Sequence, residues 1–280
     1  MKLYIILNLK NKLTELITQT YLMFFEILIS LYLIFKIKNN KSNGNKGCLI
    51  LGNGPSLKES IKNIDQSMDS LDVFVVNAFN KSNDFKTIKP NNYCILDSGY
   101  LNLSSTRVDL NNNILQTIND LNNIDWNMKL YLPLSHTGSY FEKNINSSFI
   151  QIIHFSNYPF KSLLRFYFVK SGLGIIGGKN VINACLSIAI TKKYKDIYLA
   201  GIDHSWLDEV LVDEIGTHKI ERHSYDDKTK KVYHKKIELG LGLISLGKLL
   251  IDYHDIKKYS VFMKTNIFHL DKKSYVNAFK

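Results

Sequence analysis

Several apolar runs in this chain end abruptly in residues that can do chemistry. Gly47–Leu51 leads into Gly52-Asn53-Gly54-Pro55-Ser56. A second run, from Leu71, stops at Asn77, a third, from Tyr93, at Asp97, and another, from Asp196, at Gly201-Ile202-Asp203-His204. Glycines at 52 and 54 allow close approach of backbone to a ligand. Pro55 and Ser56 are helix-start residues, and the free N–H groups behind them suit an anion. The turn is not GxGxxG, and no Gly-Lys-Ser or Gly-Lys-Thr follows, so neither a dinucleotide fingerprint nor a P-loop is present. Gly177-Gly178-Lys179-Asn180 is either a second anion cradle or a plain loop with Asn180 as helix cap. Asp203 and His204 are metal-ligating types, but adjacent residues rarely share an ion, and no HxxxH or carboxylate cluster supports them. The expectation is no metal and no bound cofactor. His218 to His234 is polar and aromatic, with His223, Tyr225, Tyr233 and His234 inside it. That is the chemistry of a general base and of donors to a leaving phosphate, and equally of a solvated insertion. Trp206 suits either stacking on a sugar ring or ordinary packing.

Elements must hold these residues in place. Gly47–Leu51, Leu71–Asn77, Tyr93–Leu96, Lys129–Leu132, Phe149–Phe155 and Asp196–Ala200 read as strands. They are continuous apolar runs rather than alternating ones, the pattern of parallel strands buried on both faces. Helices are expected over Asn180–Lys193 and Leu239–Tyr253, with a last strand within Ser260–Phe268 and a short closing helix from Lys272 to Phe279. The fold class is α/β, a Rossmann-like, mostly parallel sheet over residues 47–280. Ligands bind such sheets beyond the carboxyl ends of the strands, where the polar stretches fall. A loop over about 205–236 is long enough to be a lid.

Composition narrows the class. The chain has 280 residues, 45% hydrophobic and 22% charged, with 4 Pro and 3 Cys. That excludes disorder, collagen and a disulfide scaffold. Cys48, Cys94 and Cys185 are far apart and fit a reducing compartment. A net charge of +11 suits a polyanion, an anionic membrane surface or a phosphate-bearing substrate. The lysines are dispersed and form no basic helix or aromatic platform, so nucleic acid is not an expected partner.

Residues 1–38 read as a separate piece. Tyr21 to Phe35 is almost continuously apolar, interrupted by Glu26. As a helix it covers roughly 22 Å, short of a hydrocarbon core of about 30 Å. Lys36, Lys38, Lys41 and Lys46 follow the run, the wrong order for a signal peptide. The segment suits a helical anchor lying on the cytoplasmic face of the inner membrane, peripheral or monotopic. It equally suits a helix buried against the domain or another subunit, which leaves a homo-oligomer open. Residues 39–46 are a polar linker.

At the strand ends the chain resembles the bacterial sialyltransferases of glycosyltransferase family 42 and related polysaccharide-biosynthesis proteins. The matching segments are Leu-Gly-Asn-Gly-Pro-Ser-Leu-Lys-Glu (51–59), Asp-Val-Phe-Val-Val-Asn-Ala-Phe (72–79) and Tyr-Lys-Asp-Ile-Tyr-Leu-Ala-Gly-Ile-Asp (194–203), with a weaker echo at 267–279. A pterin diphosphokinase-like family has a similar glycine turn. The resemblance implies a CMP-activated donor and metal-independent, inverting transfer to a glycan or lipid-linked glycan, as in lipopolysaccharide or capsule synthesis. The sugar would be sialic-acid-like or another 2-keto sugar acid. By position Asn53 and Asn77 would contact the nucleotide, and Asp203 would sit where the family places a residue organising the active site. The family's Thr-Ser-Gly before the long helix is replaced by Asn180-Val181-Ile182, so Gly178 and Asn180 would have to substitute. Ser205 stands where an aromatic residue is expected, which leaves Tyr225 or Tyr233 to cover the phosphate.

The expected roles follow from the chemistry of transfer. His223, or else His234, is the base, with Asp203 and Tyr225 beside it. Gly52, Asn53, Gly54, Ser56, Asn77, Asp97, Gly178, Asn180 and His204 hold the donor nucleotide. The rival expectations are a Mg²⁺-dependent pterin pyrophosphokinase-like transferase and a catalytically degenerate nucleotide- or glycan-binding protein.

Overall fold

The computed structural model describes residues 46–62, 70–104, 108–157, 165–172, 174–204, 210–213, 216–219, 235–236 and 239–279, with the isolated positions 20 and 24. The elements in chain order are β1 (Cys48–Leu51), α1 (Leu57–Lys62), β2 (Asp72–Val76), α2 (Phe85–Ile88), β3 (Asn92–Cys94), α3 (Val108–Asn122), β4 (Met128–Pro133), α4 (Tyr140–Lys143) and β5 (Ile150–Phe155). They continue with α5 (Arg165–Lys170), α6 (Val181–Thr191), β6 (Asp196–Ala200), β7 (Val210–Asp213), β8 (Gly216–Lys219), β9 (Lys235–Lys236), α7 (Leu239–Met263) and β10 (Asn266–His269).

The apolar runs pair into a seven-stranded sheet in the order β10-β6-β1-β2-β3-β4-β5. Every pair in it is parallel. Strand pleating sends alternate residues to opposite faces. Cys48, Ile50, Phe74, Val76, Cys94, Ile197 and Leu199 meet α6 and α7 on one face, where Ala184, Cys185, Ile188 and Tyr253 are buried. Leu49, Leu51, Val75, Tyr93, Leu130 and Leu132 meet Leu57, Phe85, Ile114, Ile118 and Leu121 on the other. The result is a Rossmann-like α/β/α sandwich.

The strand order reverses between β1 and β6: β2 to β5 lie on one side of β1, β6 and β10 on the other. This switch point is where open α/β sheets usually make their crevice.

Three expectations change in detail. The long helix α7 continues to Met263, past Tyr253, and the last strand begins only at Asn266. Residues 272–279 form bends and turns rather than a closing helix. They strap the β6 turn: Tyr275 N–H donates to Asp203 O at 3.0 Å and Ser274 Oγ to Ile202 O at 2.7 Å, while Val276 and Phe279 are buried. Those bonds compete successfully with helical ones. Within 205–236, β7, β8 and β9 pair as a small antiparallel sheet. Residues 1–38 lie outside the described residues apart from positions 20 and 24. Among the described residues no helix is long and apolar enough to cross a membrane.

Candidate functional site

The switch point is closed by the protein itself. Gly52 N–H donates to Ala200 O at 2.8 Å and Gly54 N–H to Gly201 O at 2.9 Å, so the turns after β1 and β6 zip together. A Cβ on Gly52 would run into Gly201 O, and one on Gly54 into the Asp203 carboxylate. Both glycines are therefore required by close approach of protein to protein. The α1 N-terminus also has its anion already: Ser56 N–H donates to Asp203 Oδ2 at 3.2 Å. Burial pushes the Asp203 carboxyl above its ordinary pKa and nearby Asp271 adds to this, while Ser56 opposes it. Asp271 accepts from Ser60 Oγ at 2.6 Å, Gly201 N–H at 2.9 Å and Ile202 N–H at 2.7 Å, and so anchors the β6 turn. His204, at φ 50°, turns its Nε2 to Tyr253 Oη at 2.7 Å on α7.

The open space lies next door. A cleft of about 690 Å³ follows the carboxyl ends of β2 to β5, lined at those ends by Asn77, Asp97, His136 and Asn157 and closed by Gly178 and Lys179. Asn77 takes a left-handed conformation, φ 43°, one that asparagine tolerates. Its carbonyl accepts a hydrogen bond from Tyr93 Oη, and its Oδ1 accepts from Leu96 N–H at 3.1 Å. With Oδ1 committed, the side chain offers a ligand its Nδ2 donor. Asp97 Oδ1 accepts from Gly99 N–H at 2.8 Å, leaving its other oxygen as an acceptor. Lys179 is exposed and is the cation among the residues lining the cleft. Behind it Asn180 caps α6, with its side chain accepting from Ile182 N–H at 2.7 Å, and Gly178 N–H donates to Asn157 Oδ1 at 3.3 Å. Donors and positive charge thus gather at the α6 end and an acceptor at the β3 end. That is a fit for a molecule with hydroxyls on one side and an anion on the other.

His136 is 1% exposed and sits with Nε2 3.3 Å from Asp97 O, while Nδ1 has no partner among the described residues. Burial lowers its pKa despite the opposing Asp97 and Glu142, so the ring is held neutral. Asn183 on α6 is fully buried beside Gly177 and its amide atoms bond to nothing among the described residues.

The sequence-derived site is therefore split. Asn77, Asp97 and Gly178 meet in the cleft, with Asn180 directly behind it. Gly52, Asn53, Gly54, Ser56, Asp203 and His204 do not line it. Asn53 still touches its border, donating from Nδ2 to Val76 O at 3.1 Å beside Asn77. His223, Tyr225 and His234 lie outside the described residues. Lys179 belongs to the 177–180 stretch read as a possible anion cradle, whereas sequence reasoning missed Ser135, His136, Ser156 and Asn157 as cleft residues. These four follow the apolar runs of β4 and β5, so the strand-end rule finds them when applied to every strand. Among the described residues no three His, Cys, Asp or Glu side chains converge as a metal site.

A family model described as 6-hydroxymethylpterin diphosphokinase MptE-like matches residues 24–209, a span that holds β1 to β6 and both glycine turns. No curated protein matches the chain. The solved structures similar to it include the following two. An α-2,3-sialyltransferase from Campylobacter jejuni aligns at 18% identity and a TM-score of 0.42, over 87% of this chain and 80% of that one. The MAf glycosyltransferase from Magnetospirillum magneticum AMB-1 aligns at 12% identity and a TM-score of 0.47, over 84% of this chain and 33% of that one. Neither likeness is close enough to transfer a residue role.

Proposed function

The chain belongs to the 6-hydroxymethylpterin diphosphokinase MptE-like family, and from that premise we propose that it is a transferase working on a nucleotide-activated sugar held in the cleft beyond β2 to β5. The observation that carries this reading is the polarity of the cleft. Asp97 offers an acceptor suited to ribose hydroxyls, Asn77 a donor, and Lys179 with the α6 N-terminus a seat for phosphate. The finer proposal is a CMP-linked donor carrying a sialic-acid-like or other 2-keto sugar acid, and a surface-glycan acceptor. It rests on the segments at 51–59, 72–79 and 194–203 that resemble the bacterial sialyltransferases.

In the proposed reaction a base takes the proton of an acceptor hydroxyl, whose oxygen attacks the anomeric carbon. The bond from that carbon to the phosphate oxygen breaks, and CMP leaves with the electron pair. His223 or His234 serves as base, with Tyr225 donating to the leaving phosphate. Lys179 and the N–H groups at the α6 N-terminus stabilise the charge that grows on it. Asp203, buried behind the β1 turn, acts by holding the two glycine turns together and does not touch the reacting atoms.

The family's description favours one other reading, transfer of a diphosphate to a pterin alcohol. That chemistry draws on Mg²⁺ bridging phosphates. Of the described cleft-lining residues only Asp97 supplies a carboxylate, so an ion held by them would depend mainly on phosphate and water oxygens. Turnover assays in EDTA separate the two. Release of CMP from a CMP-sugar that persists in EDTA and falls at least tenfold in His223→Ala or His234→Ala supports sugar transfer. Diphosphate transfer from ATP to hydroxymethylpterin that EDTA abolishes would replace it.

A further inference from the structure

The edge of the sheet opposite the cleft, where the parallel strands begin, is basic and aromatic. Lys193 and Lys195 precede β6, Lys264 precedes β10, Lys192 follows α6 and Lys170 ends α5. Lys193, Lys195 and Lys264 are exposed, and none of the three is ion-paired among the described residues. The carboxylates of this edge are already engaged. Asp72 takes Lys46 at 2.6 Å and Tyr194 Oη at 2.6 Å, Asp125 takes Lys89 at 2.8 Å, and Asp196 accepts from Asn266 Nδ2 at 2.8 Å. Lys192 is partly buried, and burial first and the neighbouring Lys129 second lower its pKa to about 8 against the opposing Asp72.

Apolar groups share the face. Tyr167 is 58% exposed and meets Phe262 edge-on at 5.2 Å, Val261 is 68% exposed, and Lys170 Nζ lies 5.7 Å from the Phe262 ring. Ammonium groups around half-exposed aromatic rings are the composition of a surface that meets lipid headgroups. The chain also enters here: Lys195 N–H donates to Lys46 O at 3.2 Å. The polar stretch 39–46, which follows the apolar run 21–35, therefore joins the domain at this same edge.

We propose that this strand-start edge, built from Lys193, Lys195, Lys264, Tyr167 and Phe262, docks on an anionic lipid surface. The cleft then opens on the far side, one strand length away, toward water. Anionic headgroups supply the charge that the edge lacks, and the aromatic rings enter the interface between them. The domain adds a second contact to whatever residues 21–35 provide, and two weak contacts on one chain bind far more firmly than either.

Vesicle flotation of the full-length chain tests this, using phosphatidylcholine vesicles with and without phosphatidylglycerol. The apolar run is the same in all variants, so differences among them belong to the edge. Wild type is expected to prefer the phosphatidylglycerol vesicles. K193E/K195E/K264E should lose roughly 100-fold of that partitioning, and K193R/K195R/K264R should keep it. Matching near-ultraviolet circular dichroism of the two triple variants shows that both are folded. Equal binding of wild type to the two vesicle types, or unchanged binding of the Glu variant, overturns the proposal. Displacement from the vesicles by single-stranded nucleic acid that binds the same lysines more tightly would also overturn it.

Discussion

Asp203 shows how one side chain decides what a glycine turn is for. The Gly52-Asn53-Gly54 turn has the composition of an anion cradle, yet its N–H groups and the helix behind it are spent on Ala200 O, Gly201 O and the Asp203 carboxylate. Gly54→Ala should therefore act on stability rather than on ligand affinity alone. A methyl group there meets the carboxylate and, at 2.7 Å, Gly201 O. The loss should be about 2 kcal/mol, read from urea denaturation. His136 gives a prediction in pH. Because burial lowers its folded pKa, its contribution to stability is complete above the unfolded value of about 6.5 and is lost as pH falls through the lowered folded value. Thermal melts from about pH 7 down to about pH 5 should show wild type losing more stability than His136→Gln. Parallel pH curves for the two proteins would refute the buried neutral ring.

At the scale of elements, the inner strands are readable because burial on both faces leaves continuous apolar runs, and β1, β2, β4 and β6 lie where those runs lie, while the edge strand β5, only partly buried, is the weaker run. The chain end was not readable in the same way. Lys272 to Phe279 has helix-compatible residues, but their partners are tertiary: Asp203 O, Ile202 O and the core that receives Val276 and Phe279. No local pattern encodes them. Asp271, at the start of this strap, is the residue on which the β6 turn hangs. Asp271→Ala leaves Ser60 Oγ and two backbone N–H groups unpaired in a buried place and should cost about 3 kcal/mol. Asp271→Asn, which keeps an acceptor, should cost clearly less. Similar denaturation midpoints for the two variants would show that the strap is not held this way.

For the whole molecule, the sequence points to the carboxyl edge of the sheet, where the cleft lies, but not to which crevice along that edge is open. The rule that ligands sit at the strand-order reversal points to β1 and β6. Here the two glycine turns pack so closely that they fill that position, and the opening moves to β2–β5. Nothing in residue spacing reveals such a displacement, since it depends on a Cβ-free approach between turns far apart in sequence. Asn77, Asp97 and the 177–180 stretch with Gly178 and Lys179 are nonetheless legible as strand-end and helix-start residues, whereas Ser135 and His136 emerge only with the cleft.

The most direct test of the central claim is calorimetric titration of the full-length chain with CMP in the presence of EDTA, beside Asn77→Ala and Lys179→Ala. The account predicts metal-independent CMP binding that weakens about tenfold when the Asn77 donor is removed, and by at least as much when Lys179 is removed, since a charge-assisted bond to phosphate is lost. Binding of ATP alone and only with Mg²⁺, or CMP affinity indifferent to both substitutions, would contradict it.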